Sequence, residues 1–545
     1  MKDLQTGTPP LPHEIDPFLI EVIRHALSAA AEEMSLVMTR SARSSVLREG
    51  GDLSSTITDA DGELAAQGRD LPMHLGVMAY TVKHFLKCVP RERLRPGDAW
   101  LLNLPDIGGN HLPDVKLIRP IFHRGTLVAF AVNLAHWPDI GGAWPGSYYA
   151  QAFDSIQEGL RIPPIRLFTS DGVDREKLDF ILANVRGPVE REGDIMAQMA
   201  ATRAGERRVQ ELCDEHGAEV VTATLARLCD LSEIEMREGL RAIPDGTYRG
   251  VDHMDLGGAD GGPAAVRVAI TIAGDEAEFD LSESDDIVTN YYNTTPFVVG
   301  SAVAYAARLL SGRDMQQNGG TLRPIRIITR PGSLLDPGPN KPVVGGNHET
   351  SQRIVDAIFR AMEHVVPERI SAGGPTTTAV LILSEPCDDG TWKTFFEVHG
   401  GGEGARHDRD GCPAVRVHLG NTGNTPVEMI EALHAIEVER QELRSGSGGN
   451  GQHRGGDGYT MSYRILALRM MLTTCVDRMV VPPFGIQGGE DGKPYRLTLV
   501  RGEDGSEHAI PGVANLQVGR GDRIIIETCG GGGFGKPRQN AALPA

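Results

Sequence analysis

The sequence predicts a mixed α/β (α+β) fold made of several layers, with largely antiparallel sheets, a long N-terminal helix and a glycine-rich β region at the C-terminus. Two observations carry most of this prediction. Apolar residues recur at helical spacing near the N-terminus, and strands rich in Val, Ile and Leu follow, joined by short turns. The third observation is glycine, which accounts for 66 of 545 residues and favours tight turns and close backbone approaches over long helices.

Changes in composition divide the chain into three predicted regions. Residues 1–245 form an N-terminal α+β region that contains a candidate metal site, residues 246–374 a middle α/β region, and residues 375–545 a glycine-rich β region. More than one hydrophobic core is expected, because a domain usually contains about 100–200 residues.

The first predicted element is the long N-terminal helix. Asp16 suits the N-cap and Pro17 the first helical position, and apolar side chains then repeat at helical spacing to about Arg43. A later helical stretch, residues 193–242, is predicted to break into two helices near Gly217.

Strands are predicted in the segment that follows Asp98. Residues 99–104, 115–122 and 127–134 are rich in Val, Ile, Leu and Phe, and residues 123–126 have the composition of a hairpin turn. The last two of these strands should therefore pair as an antiparallel hairpin.

Charge and composition argue against several classes of function. A formal net charge of −19 repels phosphate backbones, and no basic run with interleaved aromatics is present, so we expect no nucleic-acid binding. No apolar run is long enough for a membrane span, and the polar, proline-rich N-terminal residues lack the apolar centre of a signal peptide. The seven cysteines are dispersed without a CxxC pair, which is typical of reduced thiols in a cytoplasmic protein.

His111, Asp114 and His136 are the candidate metal ligands. If the hairpin turns at Arg124-Gly125, antiparallel pairing places His136 opposite Pro113, between the other two side chains, and opposed residues lie roughly 5 Å apart at Cβ. Two imidazoles and a carboxylate suit a divalent ion such as Zn, Mn or Fe. Three protein ligands would leave a coordination position for water or substrate, as in catalytic sites.

The same residues have a structural interpretation. A His-x-x-Asp sequence followed by another His also arises by chance, and Pro120 within the strand indicates an edge or a bulge that could shift the register. Asp139, Glu49 and His74 are candidate catalytic residues. Asp139 could also bind the ion or accept a hydrogen bond from a ligand imidazole, whereas Glu49 and His74 could be structural hydrogen-bonding residues, as we expect for His348 at a helix cap.

Two glycine-rich motifs look like nucleotide-binding loops but lack the rest of such a site. Residues 530–536 (GGGGFGK) fit most of a P-loop, but Pro537 stands where Ser or Thr is needed, and Ala545 comes too soon for the required helix. Residues 446–451 contain GxGxxG without a helix after it. We expect residues 530–536, like residues 400–406, to be a glycine turn, and any ATP to be bound by another chain.

Motifs spread over almost the whole chain resemble the hydantoinase B family. This family includes the B parts of N-methylhydantoinase, ATP-dependent 5-oxoprolinase and caprolactamase, and the α subunits of acetone and acetophenone carboxylases. The matching stretches include residues 16–17, 48–54, 59–62, 72–76, 109–114 (Gly-Asn-His-Leu-Pro-Asp), 158–164, 184–186, 400–406, 454–456, 482–485 and 530–537.

This resemblance implies a metal-holding catalytic subunit. In the acetone carboxylase relatives a manganese site is built by a His-x-x-Asp and a later His, and these roles fall here on His111, Asp114 and His136. Family members act with a separate ATP-binding subunit. ATP and Mg are therefore expected on a hydantoinase A-like partner, in an assembly of the heterotetramer type.

The resulting hypothesis is an ATP-dependent hydrolase of cyclic amides of the hydantoin, lactam or 5-oxoproline type. The partner phosphorylates the amide oxygen, and this chain receives the activated species, with a metal ion that lowers the pKa of a bound water toward about 7. Asp139 or Glu49 would act as general base or orient a ligand.

The alternative is an ATP-dependent ketone carboxylase, in which the metal would hold an enolate or its phosphate while carbon dioxide or bicarbonate adds. A third possibility is a non-catalytic scaffold for the partner. The chain is shorter than the acetone carboxylase α subunit, which favours the hydrolase.

Overall fold

A computed structural model of the protein describes residues 15–258 and 261–537; residues 1–14, where we expect no signal peptide, lie outside the described residues. The α-helices within these ranges are α1 (Pro17–Ser41), α2 (Ser45–Arg48), α3 (Pro72–Cys88), α4 (Arg175–Leu182), α5 (Pro188–His216), α6 (Ala218–Arg241), α7 (Pro296–Ser311), α8 (Thr350–Met362) and α9 (Val427–Leu433).

The strands belong to four sheets. The first sheet contains β1 (Leu53–Asp59), β2 (Leu64–Gln67), β3 (Ala99–Leu102), β4 (Asp114–His123), β5 (Thr126–His136), β6 (Ile165–Thr169) and β7 (Gly172–Val173). The second contains β8 (Gly246–Met254), β9 (Ala264–Ala273), β10 (Glu276–Asp280) and β11 (Ile325–Ile328). The last two contain β12 (Val380–Pro386), β13 (Trp392–Val398), β14 (Ile436–Arg444), β15 (Gly458–Ile465), β16 (Met470–Cys475), β17 (Arg496–Val500), β18 (Glu507–Ala509), β19 (Val513–Val518) and β20 (Arg523–Glu527).

The long N-terminal helix is confirmed as α1, which ends at Ser41. The Asp16 carboxylate accepts a hydrogen bond of 3.0 Å from the backbone N–H of Phe18, because the first N–H groups of a helix have no partner within it. The predicted break near Gly217 is confirmed as well. α5 and α6 meet at this residue, whose φ of 89° is a backbone conformation that favours glycine.

The first sheet has the predicted hairpin at its centre. Its strand order is β2-β1-β5-β4-β3-β6-β7, and its described pairs are antiparallel. α1 and α5 pack on one face. α3 packs on the other, where Met78, Val82 and Phe85 contact a cluster that includes Trp100 and Phe130. The strands that carry the candidate ligands are therefore buried on both faces.

The middle of the chain adds a second layer of sheet and helix. Its strand order is β11-β10-β9-β8, with β10 and β11 parallel. α8 packs closely on β8, because Gly250 has no side chain; a Cβ there would lie 2.1 Å from the Ala357 carbonyl oxygen. α7 contacts both α8 and α3, so it connects this layer with the first sheet. The layered α+β prediction is thereby confirmed.

A buried cluster of charged side chains joins α8 to the C-terminal region. The Arg478 guanidinium lies 2.5 Å from Asp252 and 2.6 Å from Asp356, and Arg353 contacts the same two carboxylates and Asp477 at 3.0–3.2 Å. None of the five is more than 1% exposed. Removing one partner of such a buried pair costs about 3–5 kcal/mol, so the cluster fixes these elements relative to one another.

The C-terminal region contains two antiparallel sheets that pack together. Their strand orders are β13-β12-β16-β19 and β14-β15-β20-β17-β18. Side chains from both sheets share one core, among them Leu381, Phe395, Leu472, Tyr463 and Ile524. This arrangement agrees with the β-rich region predicted from composition.

Extended glycine segments pack beside these sheets, where turns were predicted. The Gly531 N–H donates to the Gly456 carbonyl at 3.0 Å, and the Gly449 N–H donates to the Gly531 carbonyl at 2.8 Å. Residues 400–402 and 530–533 contain no turn, so the prediction of glycine turns is wrong for them, whereas Gly535, with a φ of 73°, lies in a bend. Glycine is needed because neighbouring backbones approach too closely for any side chain.

Several other expectations can be compared with the described residues. Each sheet takes its strands from one of the three predicted regions. The division of the chain into three domains at these boundaries stays a prediction. All seven cysteines are free thiols. Within residues 15–258 and 261–537, none of the helices combines the length and apolar character that crossing a bilayer requires.

The glycine packing predicts a large effect of one added methyl group. In Gly531→Ala the new Cβ would lie 2.0 Å from the Glu403 carbonyl oxygen, so we expect a loss of about 3 kcal/mol in the free energy of unfolding. Gly187→Ala is the matched control, because the nearest atom to its Cβ would be 3.9 Å away. Chemical denaturation measures both, and equal midpoints for the two variants would contradict the close packing described here.

Candidate functional site

The β4–β5 hairpin brings the candidate ligands together. Its turn is confirmed at Arg124 and Gly125, whose φ angles of 48° and 86° suit a two-residue hairpin turn with both central residues at positive φ. At the opposite end of the hairpin, β4 begins at Asp114 and β5 ends at His136. These two residues therefore lie side by side at one edge of the sheet.

The register of the hairpin differs by one residue from the prediction. A β-bulge at Val128, close to Pro120, leaves one residue of β5 unpaired, so His136 pairs with Asp114 and not with Pro113. In the observed register Asp114 lies directly opposite His136. The predicted meeting of the three side chains is thereby preserved.

His111, Asp114 and His136 meet around the Asp114 carboxylate. Asp114 Oδ1 lies 2.9 Å from His111 Nε2 and 3.1 Å from His136 Nδ1. One ligand atom from each residue lies within 4.8 Å of the other two, and none of the three side chains is more than 3% exposed. The group is compact enough to hold one metal ion.

Contacts behind His111 determine which ring nitrogen carries its proton. His111 Nδ1 lies 2.9 Å from the Val344 carbonyl oxygen. Because a carbonyl can only accept, Nδ1 is the donor, so in the neutral ring Nε2 directs its lone pair to Asp114. The backbone N–H groups of Val343 and Val344 donate in turn to the Glu158 carboxylate at 2.9–3.1 Å. Metal-binding imidazoles commonly have such an outer hydrogen bond.

The donor atoms fit a cation. With a neutral imidazole, His111 Nε2 and Asp114 Oδ1 are both acceptors, so a proton or a metal ion must lie between them. Without an ion, the proton lies on His111: although burial alone would raise the pKa of Asp114, the positive charge of a protonated His111, with that of His74, holds it well below its usual range. His136 Nε2 is buried without a hydrogen-bond partner among the described residues. An ionised carboxylate with imidazole nitrogens is a donor set for Zn, Mn or Fe.

The structure places His74 beside this group and Glu49 away from it. His74 Nε2 lies 3.5 Å from Asp114 Oδ2 and 3.6 Å from Asp52 Oδ1. Glu49 follows α2, where its carboxylate lies 3.9 Å from the Arg48 guanidinium, and it does not line the cavity described below. The acidic residue of this segment that faces the site is Asp52, so the interpretation of Glu49 as a catalytic base is corrected.

Asp139 organises a loop. Its Oδ1 accepts from the Gly141 N–H at 2.8 Å, and its Oδ2 accepts from the Gly146 N–H at 2.8 Å and from Arg186 Nη1 at 3.0 Å. Both oxygens are therefore occupied by donors of the surrounding backbone and by one arginine. The expectation that Asp139 acts as a base or fourth ligand is corrected, because this carboxylate is directed into its own loop.

A hydrogen-bonded chain of Tyr148, His348 and Glu349 lies next to the candidate ligands. Tyr148 Oη lies 2.9 Å from His348 Nε2, and His348 Nδ1 lies 2.9 Å from Glu349 Oε1. Glu349 Oε1 also accepts from the Thr378 N–H at 2.8 Å, so His348 Nδ1 is the donor to it. Burial lowers the pKa of His348 well below its usual value. The neutral ring therefore uses Nε2 to accept from the Tyr148 hydroxyl.

His348, Glu349 and Cys475 form a second group that is close enough to hold an ion. Burial raises the pKa of Cys475 well above its usual value, so its thiol keeps its proton, whereas a metal ligand must be a thiolate. The His348 nitrogens are also occupied by hydrogen bonds. The group around Asp114 is therefore the better metal candidate.

The cavity between these residues is small. Its volume is about 40 Å³, and Asp52, His74, His136, His348 and Arg416 are among the residues that line it. One water molecule needs at least about 10–15 Å³, so the cavity has space for water or one small group. A cleft of about 760 Å³ between α1, α6 and α7 is much larger but contains none of the candidate ligands.

Sequence reasoning missed several residues of this cavity. Asp52, Tyr148, Glu349 and Arg416 were not recognised, and His348 was interpreted as structural. The available signals are weak: Asp52 lies in one of the stretches that resemble the family, and the two residues at 348–349 follow a Gly-Gly-Asn turn. No spacing in the sequence connects these positions, because they meet only in the folded chain.

Comparisons with known proteins agree with the motifs. The family model described as hydantoinase B/oxoprolinase matches residues 16–537. An uncharacterised protein of Methanocaldococcus jannaschii is 32% identical, over 96% of this chain and 91% of its own length. The beta chain of the caprolactamase of Pseudomonas jessenii is 30% identical, over 96% and 91%. The 5-oxoprolinase of Dictyostelium discoideum is also 30% identical, and this chain spans 40% of its length.

Solved structures show the same fold. The crystal structure of ATP-dependent caprolactamase from Pseudomonas jessenii has a TM-score of 0.90 at 28% identity, covering 97% of this chain and 93% of that chain. A nucleotide-free acetone carboxylase has a TM-score of 0.87 at 18% identity, covering 96% and 76%, which concerns the fold alone. With the family model matching nearly the whole sequence, the chain belongs to the hydantoinase B/oxoprolinase family.

Proposed function

We propose that this chain is the hydrolytic subunit of an ATP-dependent cyclic amide hydrolase, with a substrate of the hydantoin, lactam or 5-oxoproline type. The observation that carries the proposal is the buried group of His111, Asp114 and His136, whose acceptor atoms face one another beside a water-sized cavity. Relatives named caprolactamase, hydantoinase and 5-oxoprolinase support the substrate class.

In this proposal the three residues hold a divalent ion such as Zn, Mn or Fe. When bound, the ion supplies Lewis-acid chemistry at the reacting bond. Asp114 contributes its carboxylate, and His111 contributes the Nε2 lone pair that Val344 orients from behind. His74 lies next to Asp114, and Asp52 lies next to His74; in this proposal both orient water, Asp52 by accepting hydrogen bonds and His74 by donating them.

The chain of Tyr148, His348 and Glu349 takes a proton from the attacking water. As the water proton moves to Tyr148 Oη, the hydroxyl proton of Tyr148 moves to His348 Nε2 and the Nδ1 proton of His348 moves to the Glu349 carboxylate, so that the buried ring stays neutral. Burial raises the pKa of Glu349 to about 8, so its carboxylate is a stronger base than a surface glutamate. General bases are most effective when their pKa lies near the working pH.

ATP is used by a partner in this scheme. Phosphorylation of the amide oxygen by the partner weakens a bond that resists direct attack by water, and this chain then hydrolyses the activated substrate. Two relatives support the existence of a partner, because they are named as single subunits of a caprolactamase and of a hydantoinase. In the part of the chain that the structure describes, neither glycine motif is followed by a helix that could bind phosphate. We infer a hydantoinase A-like subunit in an assembly of the heterotetramer type, located in the cytoplasm.

The requirement for ATP tests the whole scheme. The purified complex of this chain and its partner should hydrolyse a hydantoin, caprolactam or 5-oxoproline only with ATP and magnesium, releasing one phosphate for each ring opened. Product analysis and phosphate release measure the two rates. Ring opening without ATP would refute the scheme, and incorporation of labelled bicarbonate into a ketone would instead establish the carboxylase alternative.

Substitution of a candidate ligand should remove metal and activity together. We expect His111→Ala to lose more metal affinity than the roughly 10- to 100-fold typical of outer-shell substitutions, and turnover to fall to background. His25→Ala, on the exposed surface of α1, is the control and should keep both. Elemental analysis and turnover of the folded complex measure the effect. Full turnover in a folded His111→Ala complex would favour the scaffold interpretation.

Removal of a single hydroxyl tests the proton-accepting chain. Tyr148→Phe should lower kcat by about 100-fold or more with unchanged metal content, because the ring stays while the hydrogen bond to His348 is lost. Tyr149→Phe is the matched control, since the Tyr149 hydroxyl donates to the exposed Gln151 amide oxygen and not to His348. Steady-state kinetics across pH measure the effect. A Tyr148→Phe enzyme with the kcat of the control would exclude Tyr148 from proton transfer.

A further inference from the structure

Arg416 is a cation of the cavity wall with unused hydrogen-bond donors. Its Nη1 donates to the Thr378 carbonyl at 2.7 Å, and across the described residues its guanidinium forms no ion pair with Asp or Glu. The buried arginines Arg353 and Arg478, by contrast, contact carboxylates at 3.2 Å or less. A guanidinium has five N–H donors in a planar fork, so most of the binding capacity of Arg416 is free.

Other polar atoms of the same cavity lack partners as well. Gln352 Oε1, Thr422 Oγ1 and His136 Nε2 are buried and form no hydrogen bond within the described part of the chain, and all three residues line the cavity with Arg416. Gln352 is only 2% exposed. Buried polar atoms are nearly always hydrogen-bonded, so this cluster indicates a polar ligand.

The backbone at Gly420 leaves space for the Arg416 guanidinium. Gly420 lies against it, and a Cβ at this position would be 2.7 Å from Arg416 Nη2 and 3.2 Å from its Nε. A side chain there would push the guanidinium out of its place. Burial also lowers the pKa of Arg416, because the nearby carboxylates of Glu349 and Asp52 offset only part of the cost of desolvating the cation. A bound anion would remove that cost.

We propose that Arg416 binds an oxyanion carried by the substrate, with Thr422 as a second donor, next to the candidate metal residues. The planar fork matches a phosphoryl or a carboxylate group, which it can bind through two parallel hydrogen bonds. Asp52 lines the same cavity and repels an anion, so binding requires Arg416 and the bound divalent ion together. The assignment deepens the proposed function and rests on it for the identity of the substrate.

The oxyanion has two possible sources in a cyclic amide hydrolase. One is the phosphoryl group that activation places on the amide oxygen, which every substrate would then carry. The other is a carboxylate that belongs to the substrate itself, as in 5-oxoproline but not in caprolactam. In the second case Arg416 selects acidic cyclic amides over neutral ones.

Calorimetric titration of the full-length, metal-containing chain distinguishes these sources. The probes are inorganic phosphate, 5-oxoproline and caprolactam, and the variants are Arg416→Lys, which keeps the charge but loses the fork, and Arg416→Met. Arg330→Lys is the control, because Arg330 is a surface residue paired with Asp286. Metal content and thermal unfolding are measured for each variant.

We expect Arg416→Met to weaken binding of at least one anion by about 10- to 100-fold, Arg416→Lys to weaken it by about 10-fold, and caprolactam binding to be unchanged. Weaker phosphate binding indicates the phosphoryl source, and weaker binding of 5-oxoproline alone indicates the carboxylate. If Arg416→Met does not fold, Arg416→Lys decides.

The assignment is overturned if neither anion binds more weakly to the Arg416 variants than to the unmodified chain, which includes the case that neither anion binds at all. A different experimental result would show that the hydrolase proposal is wrong while the anion site is right. In that case Arg416-dependent anion binding persists, while the complex opens no cyclic amide in the presence of ATP.

Discussion

The buried carboxylate of Asp114 is the group around which the site is arranged. Its side chain is fully buried, and a buried ion without compensation costs several kcal/mol, so the fold must surround it with donors or positive charge. His111 and His136 contact Oδ1, while His74 and the Asn347 amide lie 3.5 and 3.4 Å from Oδ2. A divalent ion shared by these groups would neutralise the carboxylate and connect segments that lie far apart in the sequence.

Each group at the site is held from behind by another part of the chain. Glu158 binds the backbone at Val344, which in turn orients His111. α8 begins directly after the 347–349 segment and is fixed by the ion pairs of Arg353 with Asp252 and Asp477. A displacement of about 1 Å can cost about 100-fold in rate. The buried ion cluster and the closely packed glycine segments therefore contribute to the site without touching it.

The meeting of His111, Asp114 and His136 could be predicted because all three belong to one hairpin, whose turn and strand composition are local signals. Pro120 predicts an edge or a bulge in this strand, but the position of the bulge at Val128 could not be predicted, since an extra residue in a strand changes no turn signal. His348 and Arg416 reach the cavity only through tertiary packing, which no spacing reveals. Local patterns also gave wrong predictions. Asp139 follows the candidate ligands closely in sequence, but its carboxylate binds its own loop. Residues 530–536 have turn composition, although long-range backbone packing keeps most of them extended.

Hydrolysis and carboxylation make opposite demands on water, and this is the physical reason to prefer hydrolysis here. A carboxylase must keep water away from a reactive enolate, whereas a hydrolase must admit water and remove its proton. The cavity of about 40 Å³ can hold water, and it is lined by polar atoms of Gln352 and Thr422 that have no hydrogen-bond partner among the residues the structure describes. Tyr148 and His348 form the start of a path along which a proton can leave. A polar, water-sized cavity between candidate metal ligands and a candidate proton acceptor suits ring opening by water, even in a fold that an acetone carboxylase shares.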